Sequence, residues 1–86
     1  MTPSTVTFYG ADWCSDCRRS KRLLDRLGIH YAYLDVAADQ WAADQAQQLS
    51  GRQSIPVIAL PNGVLMVEPS DLQLSQELER AGLTAA

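Results

Sequence analysis

Val6 and Phe8 alternate with Thr5, Thr7 and Tyr9, the period-two pattern of a half-buried strand, and this predicts β-structure over residues 5–9. A helical stretch from about Cys14 to Leu27 follows. Leu23, Leu24 and Leu27 form its apolar stripe, and Gly28 stands where a helix reverses into a left-handed residue. Tyr31 to Val36 reads as a second strand after a two-residue connection. Asp39 to Leu49 is rich in Ala and Gln and predicts a polar helix, whereas residues 51–54 read as loop. Val57 to Leu60 is an apolar strand, Pro61-Asn62-Gly63 is a turn signal, and Val64 to Val67 is expected to pair back as a hairpin. The last helix runs from about Ser70 to Ala81, with Asp71 in its first turn and Gly82 beyond its end. The predicted order is βαβαββα. Strand, helix and strand with short connections imply a right-handed crossover and a parallel pair.

No repeat, linker or low-complexity tract interrupts this order, and 86 residues are expected to form one domain over 1–86. With 47% hydrophobic and 20% charged residues, the composition is that of a globular chain rather than a disordered one. No apolar run approaches the roughly 20 residues that span a bilayer. Met1-Thr2-Pro3-Ser4-Thr5 lacks the charged and apolar regions of a signal peptide, so the expected location is the cytoplasm, with no membrane partner. A net charge of −3 argues against nucleic acid as a partner. The basic residues are unevenly placed, however. Arg18, Arg19, Lys21, Arg22 and Arg26 put five of the seven on the first helix, with Arg52 and Arg80 elsewhere. Such a face is solvated, and its near end places positive charge beside whatever lies at the helix start.

What lies there is Trp13-Cys14-Ser15-Asp16-Cys17. A tetrahedral zinc site needs four ligands, and the chain offers only Cys14, Cys17 and the distant His30, so no metal is expected. A purely structural disulfide between cysteines three positions apart closes a very short loop and gains little stability. A reversible pair at a strand-to-helix junction remains. The thiolate is the reactive form of cysteine, and first-turn N–H groups stabilise a negative sulfur placed against them. Cys14, at the helix mouth, is therefore the expected nucleophile. Cys17, one turn deeper, is placed to attack a mixed disulfide on Cys14 and release its partner. Asp16 and Asp12 bring like charge near the forming thiolate and oppose it.

The order of elements, the Trp-Cys-x-x-Cys motif and Ser54-Ile55-Pro56 before the third strand together resemble the glutaredoxins over essentially the whole chain, from Val6 to Leu83. Glu68-Pro69-Ser70-Asp71 before the last helix makes the resemblance closest to the mycoredoxin-type subgroup. The resemblance implies a thioredoxin-like α/β fold of the glutaredoxin type, a central four-stranded mixed sheet flanked by three helices. It implies exchange with a low-molecular-weight thiol as co-substrate (glutathione, mycothiol or bacillithiol) and no tightly bound cofactor. It also implies that Pro56 is cis and that Ile55 offers its backbone to the bound thiol. Trp13, Arg18, Arg52, Gln53, Ser70 and Asp71 complete the thiol-binding set it suggests. Ser15-Asp16 replaces the Pro-Tyr of familiar glutaredoxins and the Gly-Pro of thioredoxins, and the Gly-Gly-x-Asp stretch is absent. Ser70 and Asp71 stand at the corresponding helix start, which leaves the identity of the thiol open.

The expected function is reduction of mixed disulfides between proteins and a small thiol, by a monomer that a flavin-dependent disulfide reductase serves upstream. Its protein partners are thiol-modified or disulfide-containing. Two alternatives stay open. One is an electron donor reduced by thioredoxin reductase, although Val67-Glu68-Pro69-Ser70 lacks the Trp-Ser-Gly-Phe stretch such donors carry. The other is an iron–sulfur carrier held as a thiol-bridged homodimer. Of the remaining residues, Trp13 is expected partly exposed, Tyr9 in the core, His30 at the surface and Trp41 packed on the sheet.

Overall fold

The computed structural model describes residues 5–84. Its elements follow the predicted order: β1 (Val6–Gly10), α1 (Ser15–Arg26), β2 (Tyr31–Asp35), α2 (Gln40–Ser50), β3 (Val57–Ala59), β4 (Leu65–Val67) and α3 (Asp71–Arg80). The four strands form one mixed sheet in the order β2-β1-β3-β4. β1 runs parallel to β2, while β3 is antiparallel to both β1 and β4.

Alternation along β1 sorts the core into two layers. Val6 and Phe8 join Ile58 of β3, Leu23 and Leu24 of α1, and Leu74 and Leu78 of α3, so α1 and α3 cover one face. Tyr9 and Val57 point the other way and meet Ala46 of α2, with Leu34, Leu65 and Val67 packed around them. Tyr9 is in the core, as expected, although it lies on the face of β1 opposite Val6 and Phe8, and His30 is exposed.

The hairpin strands are shorter than their apolar runs. Leu60 and Val64 belong to the turn itself: Leu60 donates to the Val64 carbonyl at 2.8 Å, Gly63 donates to Leu60, and Val64 donates to the Asn62 side chain. Trp41 departs from expectation. It does not pack on the sheet and is 58% exposed. The buried stripe of α2 is Ala42 and Ala46, one helical turn apart, and Trp41 stands about 100° around the helix from Ala42. Small residues on that stripe let the α2 backbone approach the sheet closely and leave the indole outside.

The register aligns one end of the sheet. Gly10 pairs with Asp35, Tyr9 with Val57, and Val57 with Val67. The segments leaving β1, β2 and β4 and entering β3 therefore emerge together, and the Trp13–Cys17 motif, the Ile55-Pro56 loop and the start of α3 come from this end. No helix among the described residues is long and apolar enough to cross a membrane.

Two buried side-chain oxygens, Ser20 Oγ and Asp71 Oδ1, have no hydrogen-bond partner among the described residues, and the second has the Arg19 charge 3.5 Å away. Ser20, on the inner face of α1, is fully buried and its hydroxyl has no hydrogen-bond partner. A buried unpaired hydroxyl costs its desolvation without return. Ser20→Ala is expected to raise the unfolding free energy by about 1 kcal/mol, measured by urea denaturation; a loss of stability would show that the hydroxyl has a partner after all.

Candidate active site

Cys14 is the N-cap of α1 rather than its first helical residue. Its backbone is extended (φ −84°, ψ 118°), and its Sγ accepts from the Cys17 N–H at 3.3 Å. The sulfur thus takes the place that a serine or aspartate oxygen takes at most helix starts. The Cys14 N–H donates to the Ala11 carbonyl at 3.2 Å, which fixes the turn between β1 and α1. Both cysteines are reduced. Cys14 is half-buried and Cys17 is fully enclosed.

Burial pushes the Cys17 thiol up to about 12. Its hydrogen bond with the Cys14 side chain and the charges of Cys14 and Asp16 act in the same direction, while a backbone hydrogen bond with Ala11 opposes them. Cys17 therefore keeps its proton at neutral pH.

The enclosure depends on Gly10. A Cβ there would lie 2.6 Å from Phe8 Cε1 and 3.0 Å from Cys17 Sγ, inside contact distance of both. Opposite the end of β1, the Ile55–Pro56 bond is cis and Pro56 is buried. Its carbonyl accepts from the Glu68 N–H at 2.9 Å, so the proline loop is tied to the chain leaving β4. Glu68 itself has φ 52°, a left-handed conformation uncommon outside glycine and asparagine. Ile55 and Cys14 pack as partly buried neighbours of the same core cluster.

Each acid flanking Cys14 has its own basic partner from α1. Tyr33 donates to Asp12 Oδ1 at 3.2 Å, and Lys21 Nζ lies 3.9 Å from the same oxygen and 4.1 Å above the Tyr33 ring. Arg18 donates to the Asp12 carbonyl at 2.9 Å. Asp16 Oδ1 lies 3.0 Å from Arg19 Nη1. The other nitrogens of Arg19 reach α3: Nη2 donates to the Pro69 carbonyl at 3.1 Å and Nε lies 3.5 Å from Asp71 Oδ1. Ser70 caps α3, accepting from the Gln73 N–H while its own N–H donates to Gln73 Oε1, a complete capping box.

On the α2 side of the sheet a groove of about 160 Å³ adjoins Ile55, lined by Gln40, Asp44, Gln47, Gln53 and Ser54 among others. A larger groove of about 480 Å³ between β4 and α3 contains neither cysteine.

The glutaredoxin family model matches residues 6–66. The chain belongs to the glutaredoxin family. It is 42% identical over 55 residues to a glutaredoxin of Neisseria meningitidis, a match covering 63% of this chain and 65% of that protein. The chain thus spans just under two thirds of that relative's length. A Mycobacterium tuberculosis protein that carries the glutaredoxin name is 25% identical over 79 residues, covering 91% of this chain and 94% of the other. The solution structure of a Brucella melitensis glutaredoxin superposes with a TM-score of 0.70 at 26% identity, covering 98% of this chain and 92% of that one. The four-stranded mixed sheet with three helices is the thioredoxin-like fold of these proteins.

Within this glutaredoxin, the expected site residues divide. Trp13, Cys14, Cys17, Ile55 and Pro56 lie at the same end of the sheet, and the Trp13 ring is 71% exposed. Asp71 is joined to the start of α1 through Arg19, whereas Ser70 is engaged in capping α3. Arg18 reaches back to Asp12. Gln53 lines the groove beside Ile55, whereas Arg52 is exposed and its carbonyl and N–H both contact the Ser50 hydroxyl. Gly10, Lys21 and Tyr33 are additions that motif reading passed over. A glycine ending a strand just before the cysteine motif was the visible signal for the first. For the other two, nothing in the linear pattern joins Lys21 to Asp12 and Tyr33.

Two consequences are measurable. Gly10→Ala is expected to cost about 1–3 kcal/mol of stability, because Phe8 or Cys17 must shift; chemical denaturation reads it, and an unchanged midpoint would show slack in this contact. The second concerns alkaline pH. Because the folded state holds the Cys17 proton more tightly than the unfolded chain does, its contribution is full below about pH 9 and is lost as pH rises toward 12. Burial and the Asp25 hydrogen bond also raise Tyr31, to about 12, and burial with Asp12 raises Tyr33, so the tyrosines add to this loss from pH 10 upward. Unfolding free energy followed from pH 8 to 10 is expected to fall less steeply in Cys17→Ala than in the parent chain; parallel curves would mean that Cys17 titrates as a free thiol.

Proposed function

We propose that this chain is a cytoplasmic thiol–disulfide oxidoreductase that reduces mixed disulfides between proteins and a small thiol, with Cys14 as nucleophile. The observation that carries this reading is the asymmetry of the two sulfurs. Cys14 Sγ sits at the helix mouth with the Cys17 N–H aimed at it, while Cys17 is enclosed with its proton retained.

In the reaction the Cys14 thiolate attacks the small-thiol sulfur of the mixed disulfide. The protein's sulfur leaves as a thiolate and takes a proton from solvent, and Cys14 is left disulfide-bonded to the small thiol. A second small-thiol thiolate then attacks that bond at the small-thiol sulfur, releasing the small-thiol disulfide and regenerating Cys14. A flavin-dependent reductase returns the released disulfide to thiol. Cys17 enters only when it gives up its proton and attacks Cys14 Sγ, closing the Cys14–Cys17 disulfide and expelling the partner thiolate. The route through a second small thiol leaves Cys17 protonated, and the Cys17 branch serves the reduction of a protein disulfide.

The bound thiol is placed along the backbone of Ile55, before cis-Pro56, with Trp13 and Arg18 on the α1 side. Beyond Ile55 the groove offers the side chains of Gln47, Gln53 and Ser54 and a carboxylate, Asp44, to which Gln40 donates at 3.0 Å, with Arg52 available from the neighbouring loop. At the α3 start, the Ser70 hydroxyl and N–H are already used in the capping box and Asp71 lies against Arg19. A glutathione molecule placing its γ-glutamyl end there would have to open that arrangement.

Cys14→Ser is expected to abolish mixed-disulfide turnover, while Cys17→Ser retains it and accumulates a Cys14 adduct. Mass spectrometry of Cys17→Ser protein treated separately with glutathione, mycothiol and bacillithiol disulfides would identify the co-substrate by the adduct formed fastest. Equal loss of turnover in both single variants would overturn the single-cysteine route.

A further inference from the structure

Asp16 stands two residues after Cys14, in the first turn of α1, where a carboxylate has two ways to harm a nucleophilic sulfur. Its charge opposes the thiolate, and an unheld carboxylate in a first turn competes for the N–H groups that cap the helix, one of which here serves Cys14 Sγ. The carboxylate is felt within the pair, since it contributes to keeping Cys17 protonated. Yet it is not free. Arg19 Nη1 holds Oδ1 at 3.0 Å, one turn further along the helix and away from its open end.

The same guanidinium also reaches α3. Nη2 donates to the carbonyl of Pro69, just before the α3 cap, and Nε lies against Asp71 in the first turn of α3. Three nitrogens therefore meet three groups on two helix starts. A planar fork can do this, whereas an ammonium is a single point of charge. The remaining charged groups near Cys14 are otherwise engaged: Asp12 with Lys21 and Tyr33, and Arg18 with the Asp12 carbonyl.

We propose that Arg19 is a positioning residue for exchange at Cys14: it holds the Asp16 carboxylate off the sulfur and fixes the first turn of α1 against the first turn of α3. The proposal rests on Cys14 being the nucleophile. It does not depend on which thiol the protein uses. Arg19 contributes no atom to the bonds that form or break; its effect passes through Asp16 and through the spacing of the two helix starts.

The test is the rate of Cys14 alkylation by iodoacetamide at pH 7 on the reduced full chain, with the modified cysteine identified by peptide mass spectrometry. Arg19→Gln is expected to slow alkylation about threefold, the size of one partly exposed charge pair. Adding Asp16→Asn to Arg19→Gln is expected to restore the rate to that of Asp16→Asn alone, and Arg19→Lys to fall between Arg19→Gln and the parent. Circular dichroism of each variant checks that the fold is retained. An unchanged rate in Arg19→Gln, or a loss that persists in the double variant, would overturn the proposal. Failure of the proposed function looks different: mixed-disulfide turnover would be absent in the parent chain while the alkylation rates still report on Arg19.

Discussion

The contact on which the site depends is between a missing side chain and a sulfur. Gly10 ends β1 with no Cβ, and Cys17 Sγ occupies the space that a Cβ would contest. Because the helix start can come this close to the sheet end, Cys17 is sealed from water and Cys14 is left at the rim with an N–H directed to its sulfur. A larger residue at position 10 would push α1 outward, and the difference between the two cysteines, which is a difference in burial before it is one in charge, would shrink.

Charge then works on the scale of single residues rather than of the helix as a whole. The acidic residues beside Cys14 conflict with a reactive thiolate only if their charges stand alone. Lys21 and Arg19 each take one, helped by Tyr33 on one side and by the start of α3 on the other. The net charge of α1 says little about this. Arg22 and Arg26 are exposed and have no side-chain partner among the described hydrogen bonds and ion pairs, while Arg19, three residues before Arg22, meets three.

Much of the fold was legible in the chain because period-two and helical patterns are local. Val6 and Phe8 disclose the inner face of β1 toward α1 and α3, Leu23 and Leu24 the buried face of α1, and Ser70 with Asp71 the start of α3. Trp41 misled because a large apolar residue suggests burial, and only the positions of Ala42 and Ala46 decide which face of α2 turns inward. The cysteine motif was legible for the same local reason as the strands. Its setting was not. The reach of Arg19 across fifty positions to Pro69 and the pairing of Tyr33 with Asp12 are consequences of how distant segments meet, and no spacing rule in the chain announces them.

The placement of β1 in the sheet also bears on how the chain is made. β1 pairs with β2, about 25 positions later, and with β3, about 50 positions later. During synthesis from the N-terminus, the β1–α1–β2 unit is complete once residue 35 has emerged, but the other edge of β1 stays unpaired until residues 57–59 appear. Both cysteines are already present in this half-built sheet, before the cis-proline loop and α3 exist to enclose them. The two edges of β1 are thus closed by segments at very different distances along the chain, and the cysteine pair belongs to the unit that closes first.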